Sequence, residues 1–223
     1  VYEYSLVGDG YYIKATSTKD TSISYYISSN SGTAIKEVTR WMQVSSFGES
    51  TCALTVAGKA YCWGWNMYGQ IGDGTTNDSV VPVAVDMSIL GDKTFKYISV
   101  GYYESCAIDT DGQVYCWGLD IYNGQSRTTP VNISSSGDLN GKEITAISTG
   151  NGASCAIDNA GKAYCWGDNY YGQVGAGSSS TSSLMPTEIT MDGALVGKTI
   201  KSISAGYSHI CAIASDDQVY CWG

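Results

Sequence analysis

Four times, with small changes, the chain repeats the stretch Cys106-Ala-Ile-Asp-Thr-Asp-Gly-Gln-Val-Tyr-Cys-Trp-Gly118. The copies begin at Cys52, Cys106, Cys155 and Cys211, and nine residues separate the two cysteines of each copy. All eight cysteines of the chain lie in these copies. Short apolar runs that flank a central Asp-Gly are typical of a β-hairpin. The repeat therefore predicts four hairpins.

The spacing fixes the register of each hairpin. Residues 110–112 form a three-residue turn whose last residue needs a left-handed backbone, which glycine adopts without strain. Counting outward from Asp109 and Gln113 places Cys106 opposite Cys116 at a non-hydrogen-bonded position, where Cα atoms lie about 4.5 Å apart. That separation suits a disulfide. The register thus predicts the disulfides Cys52–Cys62, Cys106–Cys116, Cys155–Cys165 and Cys211–Cys221.

The last turn residue differs in the fourth copy. Gly58 and Gly161 match Gly112, whereas the fourth copy has Asp217, so its turn is expected to be slightly strained. Two other interpretations of the cysteines remain open, namely free thiols in a cytosolic repeat and zinc ligation. Zinc ligands usually stand two to four residues apart, and the chain has one histidine, so we expect no metal site.

Composition indicates an all-β globular protein. Hydrophobic residues make up 43% of the 223 residues and charged residues 15%, which favours a folded core over disorder. The chain has 27 glycines and 18 tyrosines, and no stretch shows sustained helical periodicity. We therefore expect short strands and turns.

Charge and cysteine use limit the partners and the location. The net charge of −9 would repel DNA or RNA, so nucleic-acid binding is disfavoured. Paired cysteines predict an oxidising environment, extracellular or at the cell surface. The sequence contains no signal peptide and no membrane span, and it begins at Val1. We expect a processed or trimmed piece that reaches a membrane only through a segment missing from this chain.

The repeat has the period of a propeller blade. The first cysteines of successive copies are 54, 49 and 56 residues apart. Each unit offers an apolar first strand, the two hairpin strands and a fourth strand that begins near a proline. The first strands are expected at 95–100, 144–149 and 200–205, and the fourth at 81–85, 130–133 and 186–189. The units span about 41–92, 93–142, 143–197 and, in part, 198–223 of a domain over 33–223.

Residues 1–32 lack the cysteine repeat, and their structure is predicted separately. Alternating patterns at 2–6, 11–15 and 23–27 indicate a three-strand β-meander. The pattern Tyr-x-Tyr, turn, Tyr-Tyr-x-Lys-Ala-Thr, then Ser-Tyr-Tyr-Ile-Ser-Ser-Asn-Ser-Gly resembles the C-terminal β-region of bacterial type IV pilin-like proteins. A plain β-extension that docks on the next domain is the alternative. Residues 34–38 are expected to form the fourth strand of a preceding blade.

Residues 40–223 resemble the regulator of chromosome condensation repeat family. The resemblance rests on the template Ile-x2-Gly-x4-Cys-Ala-Ile-x3-Gly-x2-Tyr-Cys-Trp-Gly-x-Asn-x2-Gly-Gln-x-Gly, which residues 63–72 and 166–175 match closely in its second half. Phe47 replaces the first glycine of the repeat, and residues 122–126 depart from the loop pattern. The resemblance implies a β-propeller, commonly of seven four-stranded blades, so we expect the native chain to continue.

One end of the propeller is predicted to bind a partner. Because connections between antiparallel strands alternate between two ends, the Asp-Gly turns share one end, and the loops before each first cysteine and after each Trp-Gly share the other. Tyrosine and tryptophan in loops are typical of recognition surfaces. The candidate binding residues are Trp65, Asn66, Tyr68, Tyr102, Tyr103, Tyr122, Asn169, Tyr170, Tyr171 and Tyr207. The tryptophans of the Cys-Trp-Gly motifs are expected to pack between blades instead.

No residue pattern indicates catalysis. His209 lies where the repeat family often has histidine, and no activated serine accompanies it. Asp109-Thr-Asp111-Gly112 lacks the remaining ligands of a calcium loop, and residues 172–177 lack the lysine of a phosphate loop. We therefore expect no enzyme activity and no cofactor.

The preferred function is an extracellular or cell-surface binding module that recognises a protein or glycan, with a pilus-associated adhesin as its concrete form. The family resemblance also allows guanine-nucleotide exchange, which disulfides argue against, and inhibition of secreted enzymes such as β-lactamases. The alternative of another class is a carbohydrate-binding, lectin-like propeller.

Overall fold

The computed structural model describes residues 2–7, 10–16, 24–28, 34–35, 40–120, 125–177 and 182–223. These residues form five antiparallel sheets, four of four strands and one of three. Strands that follow one another in the chain are neighbours in each sheet, which is the order expected for propeller blades. The all-β prediction is confirmed, and no helix of the described residues is both long and apolar enough to span a membrane.

The first sheet contains β1 (Tyr2–Val7), β2 (Gly10–Thr16), β3 (Ser24–Ser28) and β4 (Ala34–Ile35). The predicted three-strand meander therefore has a fourth strand, because Ile35 pairs with Tyr26 and Ala34 with Ile27. Residues 34–35 close this sheet, as expected of the last strand of a preceding blade.

The remaining sheets correspond to the four repeat units. The first two units contain β5 (Trp41–Phe47), β6 (Ser50–Thr55), β7 (Ala60–Gly64) and β8 (Ser79–Ala84), and then β9 (Phe95–Val100), β10 (Glu104–Asp109), β11 (Val114–Asp120) and β12 (Gln125–Asn132). The third unit contains β13 (Ile144–Thr149), β14 (Ala153–Asp158), β15 (Ala163–Asp168) and β16 (Ser182–Glu188). The fourth unit contains β17 (Ile200–Ala205), β18 (Ile210–Ala214) and β19 (Val219–Trp222). Single 3₁₀ turns at 88–90, 137–139 and 193–195 precede β9, β13 and β17.

Each cysteine hairpin has the predicted register. Cys106 lies opposite Cys116, and the other three pairs are equivalent. All four disulfides are present, with Cα atoms 4.0 to 4.1 Å apart. Gly112 has a φ of 81°, and Asp217, at the same turn position, has a φ of 63°. Asp217 is the one non-glycine residue with positive φ in the described part of the chain, which confirms the expected strain.

The fourth strands begin earlier than predicted. They start at Ser79, Gln125 and Ser182, so each proline lies inside its strand. Between Cys116 and Gly118 the partner residue moves from Val131 to Arg127, which leaves two extra residues on β12. The other two units show the same bulge. A bulge tolerates proline because the missing N–H is not needed by the neighbouring strand.

Successive units are joined through their first strands and their hairpin turns. The Gln43 side chain accepts a hydrogen bond from Ile98 N (2.9 Å) and donates one to Ile98 O (2.8 Å) in the next unit. The carbonyl of the turn glycine accepts the first N–H of the next unit, as in the bond from Ile144 N to Gly112 O (2.9 Å). The backbone of one unit therefore positions the next.

The tryptophans of the Cys-Trp-Gly motifs contribute to the same packing. Trp117 is buried and donates to Gln70 O of the preceding unit (2.8 Å), and Trp222 donates to Gln173 O in the same way (2.9 Å). Trp166 is also buried, whereas Trp63 is half-buried. Packing between blades, as predicted, is confirmed for Trp117 and Trp222.

Candidate binding face

The connections between strands divide into two ends. We call the end that holds the Asp-Gly turns the turn face and the opposite end the aromatic face. The described connections of the aromatic face are residues 48–49, 65–78, 101–103, 150–152, 169–177 and 206–209. Phe47, where the repeat usually has glycine, extends β5 into a tight hairpin, so that this connection consists of Gly48 and Glu49 alone.

Four of the predicted residues form one contiguous aromatic cluster. Trp65 contacts Tyr68 (ring centroids 5.4 Å apart) and Tyr102 (5.8 Å), in edge-to-face arrangements. Tyr103 contacts Tyr102 (4.7 Å) and Tyr68 (5.8 Å) in the same manner. All four side chains are half-buried. Because two come from the first unit and two from the second, the cluster exists only when the units are packed together.

Tyr207 lies in another connection of the same face, between β17 and β18, and its side chain is 68% exposed. Within the cluster, burial raises the pKa of Tyr103, and the hydroxyls of Tyr102, Tyr68 and Tyr207 raise the same pKa further.

Tyr170 and Tyr171 form a second, more exposed aromatic pair. Their ring centroids are 5.0 Å apart, and 67% and 62% of their surfaces are exposed. Exposed aromatic side chains gain the most from contact with a partner, since their apolar area is still in water. Tyr122 lies outside the described residues.

The two predicted asparagines are buried and shape their loops. Asn66 donates to Thr75 O (3.1 Å) and Asn77 O (3.0 Å), and its Oδ1 accepts from Ile71 N (2.8 Å). Asn169 is equally buried and accepts from Val174 N (2.9 Å). These bonds replace the backbone pairing that the loops lack. Both asparagines act on the aromatic face through the loops that they hold.

Two loop glutamines were not predicted from the sequence. Gln70 Oε1 accepts from Tyr68 N (2.9 Å), and Gln173 Oε1 accepts from Tyr171 N (2.8 Å). Each buried glutamine therefore fixes the backbone that carries an aromatic side chain. The Gly-Gln motif of the repeat was the signal for this role, but the sequence does not reveal which backbone group the amide binds.

The described residues of the face offer little for catalysis or metal binding. His209 is exposed, and its ring lies against Gly206. One group of potential metal ligands occurs in the described residues, Glu104 with Cys106 and Cys116, and both of its sulfur atoms belong to a disulfide. Ring contacts and shape are what this arrangement can supply to a partner.

Two family models match the repeat region. Both are described as regulator of chromosome condensation (RCC1) repeat, and they match residues 57–108 and 160–213, and residues 95–125 and 144–173. Together they span more than half of the chain. Neither match reaches residues 1–32, so the pilin-like interpretation of that segment stays a prediction.

Similar sequences carry the same repeats. The ultraviolet-B receptor UVR8 of Arabidopsis thaliana is 31% identical over 183 residues, which is 79% of this chain and 40% of the receptor. The E3 ubiquitin-protein ligase HERC2 of Homo sapiens is 30% identical over 183 residues, 78% of this chain and 4% of the ligase. This chain therefore spans less than half the length of either relative.

Solved structures confirm the fold. Human WBSCR16 aligns with 96% of this chain and 60% of its own, at 18% identity and a TM-score of 0.71. Yeast RCC1 (Prp20), solved with Kap60 bound to it, aligns with 95% of this chain and 54% of its own, at 18% identity and a TM-score of 0.68. The repeat spacing, the sheet order and the family matches agree: the chain belongs to the regulator of chromosome condensation (RCC1) repeat family.

Proposed function

We propose that this chain is a protein-recognition propeller that works outside the cytoplasm and binds its partner through the aromatic face. The observation that carries the proposal is the cluster of Trp65, Tyr68, Tyr102 and Tyr103, with Tyr170, Tyr171 and Tyr207 exposed on the same face. Rigid aromatic side chains give a large contact area at a low cost in conformational entropy. A structure of yeast RCC1 with bound Kap60 supports protein binding as the use of such a fold.

Four disulfides support an oxidising location. Each one joins the two central strands of a unit, and the sulfurs of the first three are buried. Disulfides of this kind form and persist mainly in extracellular and periplasmic proteins. Determination of the thiol content of the protein from its native source tests this part, since free thiols there would contradict it.

Adhesion to a cell surface is the specific form that we propose, with residues 1–32 as a pilus-related attachment. A lectin-like propeller or an inhibitor of a secreted enzyme would use the same face. Of these, protein recognition is favoured because the cluster is half-buried and spans two units, so that it offers a broad, fixed surface to a partner. The exposed rings of Tyr170, Tyr171 and Tyr207 would suit sugar stacking as well, and the glycan arrays below test that alternative.

The experiment compares two tryptophans at opposite ends of the first unit. The purified chain, Trp65→Ala and Tyr170→Ala are applied to arrays of cell-surface proteins and of glycans. Trp41→Ala is the matched control because Trp41, 46% exposed, begins β5 at the turn face. We expect binding to a protein that weakens about tenfold or more with Trp65→Ala and stays unchanged with Trp41→Ala.

Three results would contradict the proposal. Equal losses of affinity with Trp65→Ala and Trp41→Ala would mean that the aromatic face is not the binding surface. Binding to glycans alone, lost with Tyr170→Ala, would establish the lectin-like alternative. A partner captured equally well by all variants would place its binding surface elsewhere on the chain.

A further inference from the structure

Charge is distributed unevenly between the two ends of the propeller. The connections of the aromatic face contain Glu49, Asp73 and Asp78, and Glu104 and Asp168 lie at the adjoining strand ends. Within the described ranges, these connections contain no lysine and no arginine. Arg127, opposite Gly118 on β12, is the basic residue nearest to this face in the strand register.

The lysines lie at the other end. All seven lysines between residues 40 and 223 are in turn-face connections or within two residues of them: Lys59, Lys93, Lys96, Lys142, Lys162, Lys198 and Lys201. Several of them pair with acids there, as in Lys93–Asp111 (2.7 Å), Lys162–Glu188 (2.9 Å) and Lys201–Asp217 (2.7 Å). The turn face is therefore of mixed charge, whereas the aromatic face is acidic.

The acids and the rings of the aromatic face lie close together along the chain. Glu49 O accepts from Trp65 N (2.9 Å), and Asp78 Oδ1 accepts from Asn66 N (2.8 Å), beside the same tryptophan. Asp168 Oδ1 accepts from Tyr170 N (3.1 Å). The Glu49 and Asp78 side chains are exposed. The carboxylates of Asp78 and Asp168 therefore lie beside both aromatic groups, and the Glu49 backbone is bonded to Trp65.

This combination matches one class of partner chemistry. The face of an aromatic ring attracts ammonium and guanidinium groups, and neighbouring carboxylates add a Coulomb attraction for the same groups. An acidic partner would be repelled, and a neutral glycan could form hydrogen bonds with the carboxylates but would gain no Coulomb attraction from them. Complementary charge also speeds association at low salt, with a weaker effect as salt rises.

We infer that the aromatic face recognises a polypeptide surface rich in lysine and arginine. The inference rests on the proposed function, since it names the partner class of the same face. Recognition would combine stacking of cationic side chains on Tyr170 and Tyr207 with attraction by Glu49, Asp78 and Asp168. No rearrangement is required, because these tyrosines already present most of their surface to solvent.

The test uses a synthetic peptide in which lysine and arginine alternate with glycine, and the same peptide with glutamate in their place. Affinity for the folded chain is measured by fluorescence anisotropy at low and high salt. The charge variant is Glu49→Gln/Asp78→Asn, which keeps an acceptor oxygen for Asn66 N. The matched control is Asp92→Asn/Asp192→Asn, which removes two exposed acids from the turn face and changes the net charge equally.

We expect the basic peptide to bind, the acidic peptide to fail, and Glu49→Gln/Asp78→Asn to weaken binding about three- to tenfold at low salt. The turn-face control should leave the affinity unchanged. Tyr170→Leu/Tyr207→Leu, which keeps apolar bulk and removes the rings, should weaken binding about threefold or more.

The inference fails if the two charge variants behave alike, because binding would then follow net charge alone, or if the basic peptide does not bind. These failures differ from failure of the proposed function. Suppose that a partner found on the arrays loses affinity with Trp65→Ala but not with Glu49→Gln/Asp78→Asn. The aromatic face would then still be the binding surface, but its partner would not be recognised by its lysine and arginine side chains.

Discussion

At the scale of single residues, the four turns show how side chains specify a backbone. Asp109 Oδ1 accepts from Asp111 N (2.9 Å) and Gln113 N (2.8 Å), and Gly112 ends the turn. The third unit has the same arrangement around Asp158. The fourth unit has Ala214 and Asp217 at these two positions, so it lacks both the acceptor and the glycine. In this turn Asp216 Oδ1 accepts from Gln218 N (3.2 Å) instead.

We predict that Asp217→Gly stabilises the chain by up to about 1 kcal/mol, because glycine adopts the left-handed backbone without a Cβ clash. Loss of the exposed Lys201–Asp217 ion pair should offset little of this gain. Urea unfolding measures the difference. The converse variant, Gly112→Asp, should destabilise, since a Cβ there would lie 2.7 Å from Glu143 Cγ and 3.0 Å from Ile144 N. A stabilising Gly112→Asp would refute this explanation.

The roles of single polar residues were harder to predict. Asn66 and Asn169 belong to the correct loops, but the sequence does not distinguish an asparagine that faces a partner from one that satisfies its own loop. The difference arises because residues 65–78 fold back on themselves and bury the amide. Only the folded loop determines which polar atoms remain exposed to a partner.

At the scale of elements, the sequence predicted the register of the hairpins correctly, whereas it did not predict where the fourth strands begin. Cysteine spacing and turn residues are local, so they specify the register without knowledge of the rest of the chain. The bulge that accommodates Pro82, Pro130 and Pro186 depends on pairing with a strand about twenty residues earlier. Local propensity therefore placed the start of each fourth strand within the bulge, at residues 81, 130 and 186, instead of before it.

Gln43 contributes two of the hydrogen bonds that join the first two units. We predict that Gln43→Leu destabilises the chain by about 2 kcal/mol, because Ile98 N and Ile98 O would both lose their partner in a partly buried site. Thermal unfolding measures the loss. Val44→Ala is the control on the same strand, since Val44 is 68% exposed and its truncation should change stability by less than about 0.5 kcal/mol. Equal losses of stability in the two variants would show that the Gln43 hydrogen bonds do not stabilise the joint between the units.

At the scale of the whole molecule, the fourth strand of each unit also covers the unit before it. Gly74 N donates to Thr128 O of β12 (2.9 Å), and Gly69 lies against the Thr128 backbone. Among the described residues, the fourth unit has three strands. A cavity of about 490 Å³ opens at its edge, lined in part by Gly172, Ile189 and Trp222.

We predict that a strand added by design after Gly223 packs into this cavity. A chain extended after Gly223 by a copy of residues 65–85 should resist urea better, because burial of one valine side chain contributes about 1.5–3 kcal/mol. The control extension replaces the copies of Val83 and Val85 with serine; in the first unit these are half-buried and buried. Equal unfolding midpoints for the two extensions would show that the strand does not dock.

The sequence by itself determined the hairpins, their disulfides and the strained turn, because each depends on residues a few positions apart. It also determined the division into repeat units, because the hairpin motif recurs every 49 to 56 residues. The tertiary structure decided the bulged fourth strands and the burial of the loop asparagines. It also joined Trp65 and Tyr68 of one unit to Tyr102 and Tyr103 of the next. That cluster requires two sheets packed side by side. Contacts between units form only when distant segments meet, and no local pattern encodes the distance between two side chains on different blades.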